Sequence, residues 1–542
     1  SRTEYIFIKS LDWIVSINFL NVDYLGIVLL GVFCYRIIRH DSQGQSGLTN
    51  EEIEKYLRYC FWGVYTFVVL SSILIYVFKY INLHYENLDL GFHAYTLYRF
   101  AQTGTLYSTI IDIKYFADHF TPIFLIFTPL IAFFPSIVWI LIFQLITFFS
   151  VPILLIKLAK EFRLNSYLVY LPALLFLLNG KNYGGLFYHI LAPSLVLPFI
   201  LTAFILYLKK RKLLLIINLL FLLLFREDLP FIFISLGLFI LVSPQFKTDE
   251  KIFDFFRAID IRKRITSCLL LTGFGIISGL FIYFVVMYYI NDGELPRQAT
   301  RLGIFDLWRE KSMLVITLLL ILMLVPLFAP QSLLYILPGF GVVLISNAHF
   351  MVKFDKHYQS IALLIGYIGL IHGLYFLPHI LKKLSRNKKV MALCIAFFIA
   401  FGIVSPHTGS VMNNKRTSYI PTKMSLDQFA ELSEIKEKLL LYNSTFFDQF
   451  WSGSNVGPHF VQLQPQLSLR YGLKENRIKD RDIFMFTKDK YIGYLEKEEG
   501  LDTENMELVS RLIQREDIKC SDKYKYIMFC FTKGLNPVLT NF

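Results

Sequence analysis

Apolar residues fall in long blocks along this chain, and polar residues are confined to the short stretches between them. The clearest blocks are Tyr24–Ile38, Trp62–Tyr80, Ser136–Leu158, Leu191–Leu208, Leu213–Phe225, Leu229–Val242, Ile265–Ile290, Met313–Phe328, Ser332–Ile345, Ile361–Leu377 and Val390–Val404. A helix that crosses a bilayer core needs about 17–25 such residues. The pattern therefore predicts an α-helical polytopic membrane domain of about 12 helices over residues 1–404. The shorter blocks must tilt little, thin the bilayer or lie inside the protein. Phe120–Phe134 is also apolar, but a full crossing there would put the basic run Lys157–Arg163 on the outer side. It is read as a re-entrant or interface helix ending at Pro135. No cleavable signal peptide is expected, because no small-residue cleavage site follows the first apolar segment.

The pattern changes at Ser405. Leu439–Tyr442, Ile483–Phe486 and Tyr526–Phe531 read as short buried strands, and Ser425–Lys438 and Glu504–Arg515 have helical spacing. Residues 405–542 are enough to bury a core and are predicted to form a small soluble α/β domain.

Composition agrees with the class: hydrophobic residues make up 55% of the chain and charged ones 18%. The net charge of +13 does not point to nucleic acid. The basic residues sit in short loops, Lys157–Arg163, Lys209–Lys212, Lys247–Arg264 and Lys382–Lys389, as expected of cytoplasmic connections. Asn82–His119, Asn179–His189, Arg226–Asp228, Asn291–Lys311, Asn347–Gln359 and the tail then face outward. This makes a multi-pass protein with an outer-surface loop over residues 82–119 and an extracytoplasmic C-terminal domain. Cys34, Cys60, Cys268 and Cys394 read as apolar packing. Cys520 and Cys530 lie in the outward tail, where an oxidising compartment permits a disulfide, although two cysteines alone do not require one.

The outward loops carry the candidate chemistry. On a helix Glu86, Asp89 and His93 would share one face; such a cluster suits a divalent metal or a tuned proton, and equally suits a solvated surface. Asp118 and His119 precede Pro122. His189 ends the run Asn182-Tyr183-Gly184-Gly185-Leu186-Phe187-Tyr188-His189, as a ligand or as an interface residue. Arg226, Glu227 and Asp228 place three charges between two apolar runs, which is costly unless they face protein or water. Asp228 would also make a good helix N-cap before Leu229-Pro230. His357 lies in a loop with Lys353, Asp355 and Lys356. Apart from His372, the span centres are nearly free of ionisable groups, which favours a site at the outer surface.

The run Asp89-Leu90-Gly91, then Thr103-Gly104 with Leu106-Tyr107-Ser108, then Asp118-His119-Phe120 before Pro122-Ile123, resembles the bacterial membrane proteins of domain-of-unknown-function family 2079. Tyr188-His189, Arg226-Glu227-Asp228, His357-Tyr358 and Gly457-Pro458-His459 resemble that family's later landmarks in the same order, over roughly Leu83 to Phe486. The family in turn resembles the GT-C glycosyltransferases. The resemblance implies an enzyme of the bacterial cytoplasmic membrane that moves a sugar from a polyprenyl-phosphate donor to a lipid or glycan acceptor at the outer face. Asp89 would be the base, with Glu227 a second catalytic candidate. Arg226, Arg297 and Arg301 would meet the phosphate, and Asp118, His119, His189, Asp228 and His357 would bind substrate. The family usually carries a second carboxylate soon after the first; here Phe92-His93-Ala94 has none. A divalent ion, Mg or Mn, would then need His93 in its place, with Glu86. The rival readings are a transporter or flippase of lipid-linked glycans, which usually shows repeated halves or paired broken helices, neither of which is visible, and a non-enzymatic envelope assembly factor.

Overall fold

The computed structural model describes residues 50–82, 90–110, 113–166, 168–183, 186, 192–243, 261–293, 303, 306–322, 324–347, 359–384, 423–441, 449–452, 466–468, 482–487, 515–521, 523–525, 527–532 and 535. The blocks Tyr24–Ile38 and Val390–Val404, the boundary near Ser405 and nearly all of Glu504–Arg515 lie outside them. The main helices, in chain order, are α1 (Asn50–Ile81), α2 (Phe92–Thr103), α3 (Val138–Glu161), α4 (Leu171–Leu178), α5 (Leu197–Leu208), α6 (Lys212–Leu222), α7 (Pro230–Val242), α8 (Ile261–Phe281), α9 (Trp308–Ile321), α10 (Leu333–Gly339), α11 (Ser360–Leu384) and α12 (Lys423–Leu441). Strands are β1 (Tyr107–Ser108), β2 (Ile113–Lys114), β3 (Gln449–Ser452), β4 (Gln466–Ser468), β5 (Asp482–Thr487), β6 (Ile518–Cys520) and β7 (Ile527–Thr532).

Among the described residues four helical stretches are long and apolar enough to cross a membrane: Glu54–Ile81, Val138–Glu161, Ile261–Ile290 and Ser360–Leu377. Pro122–Phe133, Leu197–Leu208, Lys212–Leu222 and Pro230–Val242 are apolar but shorter. The long helices differ in what surrounds them. Leu269, Leu270 and Ile277 of α8 point away from the protein, whereas Leu363, Ile365, Ile368 and Ile371 of α11 are buried. In a bilayer the first pattern is a lipid-facing helix and the second a central one.

Several blocks that read as single helices are broken. Leu191–Leu208 divides at Val196, with Pro198 in the first turn of α5. Met313–Phe328 stops at Ile321; Leu324 turns left-handed at φ 56° and a 3-10 segment, Val325–Phe328, follows. Pro326 explains this, since a proline clashes with the carbonyl four residues back and keeps its predecessor out of the α region. Ser332–Ile345 divides at Phe340. Phe120–Phe134 forms a 3-10 segment, Pro122–Phe127, and a short helix, Thr128–Phe133, too short for the ~20 residues of a crossing. Helix α4 was not anticipated.

The chain divides into two compact units: residues 1–73, 119–122 and 144–416, and residues 74–118, 123–143 and 417–542. In the first, α7 and α8 form a tight antiparallel hairpin. The buried Arg264 donates to the Ser243 and Leu241 carbonyls at the end of α7, at 2.6 and 3.3 Å. Gly275 lets α8 approach the start of α7; a Cβ there would meet the Pro230 carbonyl oxygen at 2.8 Å. Beyond Phe281 the helix continues as a π segment, Ile282–Met287.

The second unit holds a five-stranded mixed sheet in the order β4-β3-β5-β7-β6. Leu432, Ile435 and Leu439 of α12 bury against Ile483, Met485, Ile527, Phe529 and Phe531. The strand expected at Leu439–Tyr442 is therefore wrong: Leu439 sits seven residues after Leu432, on the inner face of a helix that runs through Leu441. The expected strands near Ile483 and Tyr526 are β5 and β7. A disulfide joins Cys520 and Cys530, which face each other across β6 and β7. Tyr80 packs edge-on against Phe429 in the same unit.

Candidate functional site

The charges between α6 and α7 are the best-organised polar group in the first unit. Helix α6 ends at Leu222 and the chain runs through tight turns to Pro230, which opens α7. The residue that caps α7 is Leu229, and no side chain caps that helix. Asp228 thus does not act as an N-cap, and its carboxylate is turned to other uses.

Arg226, Glu227 and Asp228 are 4%, 1% and 9% exposed, so each charge must be met inside the protein. The Arg226 Nε lies 3.6 Å from Glu227 Oε1 and 3.2 Å from Asp228 Oδ2. His119 Nδ1 lies 2.8 Å from Glu227 Oε1, and the Phe120 backbone N–H donates to Glu227 Oε2 at 2.9 Å. Both oxygens of Glu227 are therefore committed. Its side chain ties the segment after Asp118 to the α6–α7 turn, 108 residues away in sequence. His119 retains 26% of its side-chain exposure.

Burial acts to raise the Glu227 carboxyl, but the charge and hydrogen bond of His119, with the charge of Arg226, outweigh it and hold Glu227 down at about 2. Asp228 goes the other way. Burial pushes it up, and the neighbouring Glu227 charge adds to this, against the pull of Arg226 and His119. Burial and charge thus move the two neighbouring carboxyls in opposite directions.

Sequence reasoning missed the π segment Ile282–Met287 that continues α8 and contains Tyr283. A π-bulge is often found at functional sites. Tyr283 is one aromatic among many in an apolar block, so no spacing distinguishes it.

The other candidates are placed differently. His93 is buried in the second unit, with Nδ1 2.7 Å from the Tyr115 hydroxyl and its ring stacked on Phe124 at 4.1 Å. Asp118 ends a short helix, Tyr115–Asp118, and its side chain lies outside the described residues. So do Glu86, Asp89, His189, Arg297, Arg301 and His357. Among the described residues no group of three or more His, Cys, Asp or Glu is arranged to hold a metal ion.

No curated protein matches the chain at a significant level. The model of one family, described as "Predicted membrane protein (DUF2079)", matches residues 79–441. This takes in residues 82–119, the His119 segment, the Arg226–Asp228 turn and α12; the landmark at Gly457-Pro458-His459 falls beyond it. The chain belongs to the DUF2079 family of membrane proteins.

Proposed function

We propose that this protein is a membrane glycosyltransferase of GT-C type, moving a sugar from a polyprenyl-phosphate donor to a lipid or glycan acceptor at the outer face of the bacterial cytoplasmic membrane. The observation that carries the reading is the buried Glu227–His119 pair set between apolar helices. A carboxylate that fixes one imidazole nitrogen orients the ring and raises the basicity of the other, an arrangement that recurs in acid–base sites. In the reaction, the acceptor oxygen bonds to the anomeric carbon as the bond from that carbon to the phosphate oxygen breaks. The electron pair leaves with the phosphate. The acceptor proton passes to a base, and His119 Nε2 suits this role alongside Asp89.

On this reading two roles change. Glu227, held ionised and fully engaged, is a positioning residue rather than a base. Arg226 is offset by two carboxylates and is a weak site for a further anion, which leaves Arg297 and Arg301 as the candidates to stabilise the departing phosphate. No step is routed through a divalent ion. The Cys520–Cys530 disulfide supports an extracytoplasmic tail, since such bonds persist in oxidising compartments.

The test is turnover of a panel of polyprenyl-phosphate sugars by the purified chain in lipid nanodiscs. Wild type should release polyprenyl phosphate, and Asp89→Asn and His119→Gln should lose about 10²–10⁴-fold if they share proton transfer. Consumption of no donor across the panel would remove the reading. The broken helices at Val196 and after Ile321 favour the transporter as second reading. Movement of a lipid-linked glycan across the bilayer without its consumption would decide for it.

A further inference from the structure

We propose that Asp228 is the point at which this site recognises its ligand, with carboxylate oxygen Oδ1 accepting a hydrogen bond from a hydroxyl of the transferred sugar. The inference rests on the glycosyltransferase reading and deepens it. Asp228 is nine-tenths buried. Its Oδ2 faces Arg226 at 3.2 Å, while Oδ1 is enclosed and has no hydrogen-bond partner among the described residues. Leaving a buried acceptor of this kind unmet is costly, and such atoms in native proteins call for a water, an ion or a ligand. Helix capping does not account for it, because α7 is not capped by a side chain.

The surroundings say which donor fits. The second carboxylate, Glu227, is occupied by His119 and Phe120, so Asp228 alone has capacity left. Arg226 and the His119 imidazole already face the two carboxylates. A neutral hydroxyl satisfies Oδ1 without upsetting that arrangement, whereas another cation adds net charge to a buried cluster. Carboxylate and guanidinium together suit a polyhydroxylated ligand.

The experiment compares two probes on the full chain in nanodiscs: undecaprenyl phosphate, and undecaprenyl phosphate carrying a hexose. Wild type should prefer the hexose-bearing probe by roughly tenfold to a hundredfold, the usual weight of a hydrogen bond to a charged group. Asp228→Ala should erase that preference, with bare undecaprenyl phosphate bound no more weakly than by wild type, since Arg226 then loses one of its two carboxylate partners. Asp228→Asn keeps the shape and one acceptor oxygen but not the charge; it should give an intermediate preference, and it serves if the alanine variant fails to fold. Equal preference in wild type and both variants would overturn the proposal and leave Oδ1 as a water site. Wild type that binds both probes equally would also overturn it, with donor binding intact. Wild type that binds neither would bring down the glycosyltransferase reading itself, and this proposal with it.

Discussion

Two histidines of the candidate loop, His93 and His119, have opposite surroundings. His119 keeps part of its surface exposed and bonds to a fully buried carboxylate. His93 is packed between aromatic rings, stacked on Phe124 and bonded to the Tyr115 hydroxyl. A carboxylate partner orients a ring for proton transfer; an aromatic enclosure fixes a fold. The sequence marked both as candidates, His93 for a metal and His119 for substrate. The partner, and not the residue type, separates chemistry from packing.

The comparison breaks most sharply at Glu227. Glu227→Ala leaves His119 Nδ1 and the Phe120 N–H without their acceptor and removes one of the two anions facing Arg226. Breaking a buried pair from one side costs about 3–5 kcal/mol, so the variant should melt far below wild type and lose turnover. Glu227→Gln keeps the shape and should fold better, yet still lose turnover because the ring of His119 is no longer paired with a charge. Unchanged turnover in the Gln variant would mean that the pair is structural, as at His93.

Acid should sharpen it next. A carboxylate has an unfolded pKa of about 4.3, and Glu227 is held at about 2 in the fold. A depressed carboxyl contributes stability that is fully present above the unfolded value and is lost as pH falls towards the folded one. The window is therefore about pH 4 down to 2, and the contribution roughly 3 kcal/mol. Asp228 has the reverse sign. Its carboxyl is raised, first by burial, so protonation on the way down favours the folded state. Tm measured against pH should rise slightly and then fall steeply, and Asp228→Asn should abolish the rise and keep the fall. A profile flat to pH 2 would show that Glu227 carries no such charge.

The apolar blocks were legible as helices because burial in a membrane is written in unbroken hydrophobicity: Trp62–Tyr80 and Ser136–Leu158 lie within α1 and within a residue or two of α3. The breaks were not. Pro326 and Pro198 were visible, but an apolar block continues through each of them, and only packing decides whether the helix resumes. Leu439 was misread because four apolar residues in a row fit a strand or a helix; its partners Leu432 and Ile435 decided the matter. In the site, Arg226, Glu227 and Asp228 stood out as charges between apolar runs, and His119 as a loop histidine. Nothing local joined them, since the bond between His119 and Glu227 closes over 108 residues. Tyr283 was silent, because a π-bulge leaves no mark in composition.

The smallest expected effect lies at His93, and it is the control for the rest. His93→Phe keeps an aromatic ring against Phe124 but removes the Nδ1 contact with the Tyr115 hydroxyl, a buried group that costs about 1–3 kcal/mol when left without its partner. Tyr115→Phe should cost a similar amount from the other side. Removing both partners together leaves two apolar rings in a stack that already includes Phe92 and Phe124, which can be nearly neutral. The double variant should thus be more stable than the sum of the single losses, with a coupling of about 0.5–3 kcal/mol, read as Tm or denaturant midpoint of the four proteins. Turnover and probe binding should stay near wild type in all of them, since the role of His93 is packing. Additive losses would show that the hydroxyl and the imidazole do not depend on each other. A loss of turnover in His93→Phe without a loss of stability would move His93 out of the packing role and into the chemistry, and would end the contrast with His119.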